Sequence, residues 1–271
     1  MIKNLINFLK RQRLVVLLLI LCIFLFQLYH YGYLQIMDPM VKKSLSPVDM
    51  VWLFFNGAKY FEFGDLFFVK ELPYIWITFH GLWFYIVFKE FSLSRDNFTV
   101  QKIIREGSRK TWWRRKWAEV QVNNILLFVI FIIVIVSTNF YNFVGEGGSF
   151  INDLYLMSNQ MTIPKVLNNG ILVLRLLILP LMSICCMTSV IAVIEIFISK
   201  DMASYLTAFV LLFASMFFDI PILFMNYAMT IRNMNYSEML VNDLLGIVIL
   251  LGIILITYII GDKKVERLEI I

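Results

Sequence analysis

The chain is poor in the residues that usually carry chemistry. Its 271 residues include two histidines, three cysteines and six prolines, and charged residues make up 16%. Cys22, Cys185 and Cys186 all fall inside apolar runs, so none is placed for an external disulfide framework, and the adjacent pair would project in different directions from a helix. His30 and His80 are isolated, and each is expected to pack or bond locally instead of holding a metal. No His-Glu-x-x-His motif occurs, which removes the metal type of intramembrane protease. The aspartyl type needs two deep aspartates, and only Asp219 is deep. No Gly-Lys pair occurs anywhere, so the chain has no Walker loop with which to bind ATP, and Gly145-Glu146-Gly147-Gly148-Ser149 reads as a flexible turn. Catalysis by this chain is not expected.

What the chain has is apolar surface. Apolar residues make up 60% and aromatics 16%, with a mean hydropathy of +0.79, which marks an integral membrane protein. Six stretches approach the roughly 17 to 25 apolar residues that cross a hydrocarbon core about 30 Å thick: residues 14–37, 72–88, 122–140, 171–199, 203–225 and 244–260. Runs such as Ile125 to Val136 do not alternate apolar with polar residues, so the spans read as helices and not as barrel strands. The expected fold is all-α, a single transmembrane domain of six helices.

Orientation follows from the cations. With the N-terminus in the cytosol, 17 of the 24 lysines and arginines lie inside, six lie outside, and Arg175 falls within the fourth span. That asymmetry favours both termini in the cytosol. The basic balance thus reflects topology, and no nucleic-acid partner is expected. The first apolar run is about as long as a full span and no small-x-small cleavage site follows it, so it reads as an anchor and not a removed signal. Ahead of it, Ile2, Leu5, Ile6 and Leu9 share one helical face, which predicts an interfacial helix over residues 2–10.

The outer loop, residues 38–71, is long and semi-apolar. Ser46-Pro47-Val48-Asp49 supplies a cap, a proline at the first helical position and an acid in the first turn, and Asn56-Gly57 supplies a stop. A short helix over residues 47–55 follows, whose Val51, Trp52, Phe54 and Phe55 suit an aromatic anchor in the outer interface; a lid or substrate-facing element is the alternative. Within the spans, Arg175 and Asp219 come to similar depth on antiparallel helices, as an ion pair or as lining of a substrate path. Glu195 lies near the inner end of its span, where it can snorkel. Pro180 and Pro221 interrupt the fourth and fifth spans, where each is either a kink or a tolerated residue.

The densest signal is the loop of residues 89–121, between the second and third spans, which carries nine lysines and arginines from Lys89 to Lys116. Ser94-Arg95-Asp96-Asn97 starts a helix with Phe98, Lys102 and Arg105 on one side, Gly107 ends it, and Ser108 begins a second helix that feeds the third span. On that second helix Trp113 and Trp117 are four apart, so both rings can seat in the interface. Arg109, Lys110, Arg114, Arg115 and Lys116 then meet headgroups or a protein acid patch. Anionic lipid would draw such a cluster on its own, at about 1 kcal/mol per cation near the surface, but it does not require a capped helix ahead of the cations.

With Glu90 early in this loop, then Ser108-Arg109, then Lys116 seven residues after the arginine, the chain resembles the permease subunits of type-2 ABC exporters, most closely small ones of Gram-positive bacteria that export or confer immunity to peptides. The resemblance implies a cytosolic coupling helix over roughly Ser94 to Arg105, with Arg95, Phe98, Lys102, Arg105, Ser108, Arg109 and Lys116 facing a separate ABC ATPase subunit. ATP and Mg would sit on that partner, with no cofactor in this chain. It also implies a second permease subunit, identical or homologous, and a multi-pass place in the bacterial cell membrane among its lipids. The stretch before the sixth span carries no pattern for the small re-entrant helices of larger relatives. A membrane accessory or peptide-immunity protein that acts without ATP is the competing reading.

Overall fold

The computed structural model describes residues 10–37, 47–55, 57, 73–92, 108–145, 174–198, 201–218, 220–230 and 239–266. Among these the chain is helical and has no strand. The helices are α1 (Arg13–Met37), α2 (Pro47–Phe54), α3 (Tyr74–Ser92), α4 (Arg109–Gly145), α5 (Leu179–Ile198), α6 (Asp201–Phe217) and α7 (Met239–Glu266). A π-helical turn, Leu174–Ile178, leads into α5, and a 3-10 helix, Phe224–Ala228, follows α6. Among the described residues, Arg109–Thr138, Leu174–Ile198 and Asp243–Glu266 are long and apolar enough to cross a membrane, and Arg13–Leu28, Trp76–Val87 and Ser204–Phe217 are shorter apolar stretches. This is the helical make-up of a membrane protein.

Cross-helix contacts set the directions. Trp83 on α3, Asn124 on α4 and Thr188 on α5 are joined at one level by hydrogen bonds. The start of α4 meets the end of α7, where the Trp113 Nε1–H donates to the Tyr258 carbonyl at 3.2 Å. The end of α7 meets the end of α5, with the Lys264 ammonium 4.8 Å from the centre of the Phe197 ring. The Tyr205 hydroxyl near the start of α6 donates to the Gly81 carbonyl on α3 at 3.1 Å. The beginnings of α4 and α6 therefore share one end of the bundle with the ends of α3, α5 and α7. That end gathers Lys89, Arg109, Lys110, Arg114, Arg115, Lys116, Lys263 and Lys264.

Three elements differ from the sequence expectation. The fifth span, expected over residues 203–225, stops at Phe217. Asn226 explains the stop: its amide nitrogen donates to the Phe218 and Ile220 carbonyls at 2.9 and 3.2 Å, giving the helix end the partners it would otherwise lack. Pro221 thus lies in a turn beyond the helix and kinks nothing. The chain then folds back, and Phe224, Met225, Ala228, Met229 and Thr230 are buried, a short inward element where the sequence carries no pattern for one.

The second difference is α2. The proline start and the glycine stop are both in place, with Gly57 at φ +73°, a left-handed conformation that glycine adopts freely. An interfacial anchor would turn its rings outward, yet Met50, Val51, Trp52, Phe54 and Phe55 are all buried. The Phe54 ring lies edge-on to Phe26 of α1, Phe79 of α3 and Phe131 of α4, with centroids 4.6, 4.5 and 4.9 Å away. Three apolar helical walls and aromatic edge-to-face geometry outcompete the interface for these rings. The element is pinned at its end by Thr230, whose N–H donates to the Phe55 carbonyl at 2.8 Å and whose hydroxyl donates to the Trp52 carbonyl at 3.2 Å.

The third difference is α7, which begins at Met239 instead of residue 244. The extra turn draws Asp243 into the bundle wall, 3% exposed by side chain. In the first turn of α5, Pro180 has no N–H to return to the carbonyl four residues back, and the residues before the helix are wound as the π turn that carries Arg175. All but the last residue of the interfacial helix expected over residues 2–10, the coupling helix over 94–105 with Arg95, Phe98, Lys102 and Arg105, the turn at 146–149, Asp219 and the side chains of His30 and Glu90 lie outside the described residues.

Candidate functional site

The basic end of α4 is built by a cap. Ser108 Oγ accepts the Thr111 N–H at 3.1 Å and lies 2.7 Å from the Thr111 hydroxyl, so Ser108 begins the helix. From Arg109 the helix runs 37 residues without a break, about 55 Å at 1.5 Å per residue. Its apolar run needs about 30 Å, so roughly the first dozen residues stand clear of it.

Residues 110, 113, 114 and 117 fall on one face of α4 and meet residues 258, 261, 262 and 266 on one face of α7. Arg114 makes a two-pronged bond to Asp262, Nε to Oδ1 at 3.0 Å and Nη2 to Oδ2 at 3.2 Å. The bonded carboxylate holds the Arg114 guanidinium above its usual pKa. Lys110 Nζ is 2.9 Å from Glu266, and the Trp117 and Tyr258 rings meet edge-on at 5.1 Å. Trp113 is fully buried, and its indole lies over Gly261, where a Cβ would run into it. The sequence reading seated Trp113 in the membrane interface; it is instead packed against α7, because a glycine there lets the two helices close on the ring. The acid patch expected as an alternative to headgroups is on the chain itself. Asp262 and Glu266 were legible as the i, i+4 acids of the last turns, but nothing in sequence tied them to residues some 150 positions earlier.

Glu119 gathers the next two cations, Arg115 at 3.3 Å and Lys116 at 3.2 Å. Lys116 is thereby largely buried, its Nζ held on its own helix. Among the resemblance-derived contact residues that are described, Ser108 is exposed and Arg109 half-exposed, whereas Lys116 faces inward.

Further along, a polar seam that the sequence reading missed crosses the bundle. Trp83 Nε1–H donates to Asn124 Oδ1 at 3.1 Å, Asn124 Nδ2–H donates to the Thr188 hydroxyl at 2.7 Å, and Gln121 Nε2–H donates to the Ser189 hydroxyl at 2.8 Å. Its only signal in sequence was the pair Gln121 and Asn124, three apart, just ahead of an apolar run. Replacing Asn124 with Ala leaves the buried Trp83 N–H without an acceptor, and is expected to cost about 1–2 kcal/mol. Thr188→Val takes the hydroxyl acceptor from the buried Asn124 amide, and is expected to cost a similar amount, about 1–2 kcal/mol. Thermal unfolding of the detergent-solubilised protein checks both.

Glu195 does not snorkel. It is 2% exposed and, with Thr188, Phe84, Val87, Val120 and Ile191, lines a cavity of about 10 Å³ between α3, α4 and α5. His80 packs locally as expected, its Nδ1 bonded to the Trp76 carbonyl at 2.8 Å, and all three cysteines are free.

Arg175, expected opposite Asp219, bonds Asp243, Nε to Oδ2 at 2.7 Å, with side chains 1% and 3% exposed; Asp219 lies outside the described residues. Asp243 reaches Arg175 because α7 starts early enough to carry it inward.

No family model, curated protein or solved structure matches the chain. The arrangement itself is that of a helical bundle with one cation-rich end, organised by a capped helix and cross-braced to the last helix, and with a buried ion pair toward the other end.

Proposed function

We propose that the chain is the membrane-spanning permease subunit of an ATP-driven ABC exporter, with six spans and both termini in the cytosol of a bacterial cell membrane. A separate ATPase subunit supplies ATP and Mg, and a second permease subunit, identical or homologous, completes the pathway. The cargo is a hydrophobic or amphipathic molecule such as a peptide, an antibiotic or a lipid. The observation that carries this reading is the basic end of α4: a capped helix that overshoots its apolar run and is braced to α7, so that force applied there reaches two long apolar helices. The loop residues Arg95, Phe98, Lys102 and Arg105, with Ser108, Arg109 and Lys116, are assigned to the ATPase contact by the family resemblance.

The chain purified from its native membrane is expected to bring an ATPase subunit with it, and Ile103→Pro in the coupling segment is expected to abolish transport while leaving the chain inserted. Recovery of no ATPase would favour a membrane accessory or peptide-immunity protein, which needs no structured loop and tolerates the proline.

A further inference from the structure

Two short elements enter the bundle from the end opposite the cations, the outer end in the exporter reading, and they meet there. α2, between α1 and α3, reaches Phe131, midway along the apolar run of α4, and its Phe54 ring also lies against Phe26 and Phe79. Residues 224–230, between α6 and α7, bury Phe224, Met225, Ala228, Met229 and Thr230. Thr230 gives the last turn of α2 the partners that a helix end lacks within itself: its N–H donates to the Phe55 carbonyl and its hydroxyl to the Trp52 carbonyl. Beside it, the Met229 side chain packs on Gly57, just past α2, so that a Cβ placed on the glycine would lie 2.8 Å from the Met229 Cβ.

The two elements are fastened to different helices. On the first, Met50, Val51, Trp52, Phe54 and Phe55 are buried, with the last two rings set against α1, α3 and α4. The second is held by α6 and α7. Asn226 Nδ2 donates to the Phe218 and Ile220 carbonyls where α6 ends, and the Tyr227 ring lies on Gly246 of α7, leaving no room for a Cβ. Where the two elements meet, two hydrogen bonds and one methionine contact join them. Burial of several large apolar side chains outweighs a pair of hydrogen bonds, so a displacement of α6 and α7 against α1, α3 and α4 parts this joint before it pulls α2 from its rings.

We propose that this joint is a gate of two leaves, α2 on one side and residues 224–230 on the other, that shuts the outer end of the bundle. Thr230 and Met229 are its latch. Because α6 and α7 carry the second leaf, movement of those helices opens the gate, and α2 stays seated throughout. The inference rests on the exporter reading for the path that the gate shuts; the latch is tested without transport.

The test uses the full-length chain in lipid nanodiscs. Met229 is fully buried and Lys263 is exposed, so Met229→Cys is expected to react with a water-soluble maleimide far more slowly than Lys263→Cys, each site being followed by mass spectrometry. Adding Thr230→Val removes the hydroxyl bond to α2 and is expected to speed reaction at residue 229 about 5-fold, the factor that about 1 kcal/mol for one hydrogen bond represents. Asn124→Ala, which loosens the bundle elsewhere, is expected to leave that rate unchanged. The pair Gly57→Cys and Met229→Cys is expected to cross-link on oxidation, because disulfides join Cβ atoms about 3.5–4.5 Å apart and these two need only separate slightly. In the complex purified with its ATPase, the cross-link is expected to stop transport until it is reduced. Reaction at 229 as fast as at 263, a rate indifferent to Thr230→Val or raised as much by Asn124→Ala, failure to cross-link, or transport undiminished by the cross-link overturns the gate. Labelling and cross-linking as expected with no ATPase recovered would remove the exporter reading alone.

Discussion

Replacing Asp243 with Ala is expected to be among the most damaging single changes in the chain, lowering stability by about 3–5 kcal/mol. The Arg175 guanidinium is 1% exposed and bonded to that carboxylate at 2.7 Å. Removing the acid takes the bonded carboxylate from a buried guanidinium, and a buried charge that loses such a partner costs more than the pair is worth. The asymmetry gives the test its control. Arg175→Met together with Asp243→Leu removes both charges and keeps similar volume, and it is expected to recover most of the loss, because well-packed apolar residues replace buried ion pairs at little or no cost. Thermal unfolding of the three proteins in one detergent decides it: a double substitution as unstable as Asp243→Ala would show that the pair does more than neutralise itself.

The second large effect is expected at Gly261. A valine there drives its side chain into the Trp113 indole, which is fully buried between α4 and α7 and has nowhere to go. Overpacking of this kind costs about 3 kcal/mol. Gly252, on the same helix, meets nothing within 4 Å of a new Cβ, so Gly252→Ala is expected to be neutral or to stabilise by up to about 1 kcal/mol through helix propensity. The contrast separates the steric cause from the mere loss of a glycine. Trp113→Ala, which empties the same contact from the other side, is expected to cost about 3–5 kcal/mol. Combining Gly261→Val with Trp113→Leu should cost less than the sum of its parts, because the two residues share one space.

The helices were legible because their signals are local. Apolar run length located α1, α3 and α5 within a few residues and the middles of α4 and α7, Ser108 marked the start of α4, and Pro47 and Gly57 bracketed α2. Partners were illegible because they depend on where helices end in three dimensions. A one-turn error at the start of α7 hid Asp243 as an acid bonded to Arg175, and the stop of α6 at Phe217 was equally unforeseen. Depth counting along ideal helices cannot detect either shift. The inward placement of α2 was equally invisible, since an amphipathic aromatic octet reads the same whether lipid headgroups or phenylalanines receive it. Glu195 shows the same limit: its position near a helix end predicted a snorkelling side chain, and only the packing of α3 and α4 reveals that it points into the bundle.

The unbroken length of α4 has a mechanical consequence. A rod of 37 residues, about 55 Å long, turns a tilt of about 5° at its capped end into a displacement of about 5 Å at the far end. Phe128 and Phe131, which meet the Phe54–Phe55 pair at the end of α2, lie just past its middle, so a nudge on one surface of the bilayer becomes a lateral shove beside those rings without any signal having to pass from residue to residue.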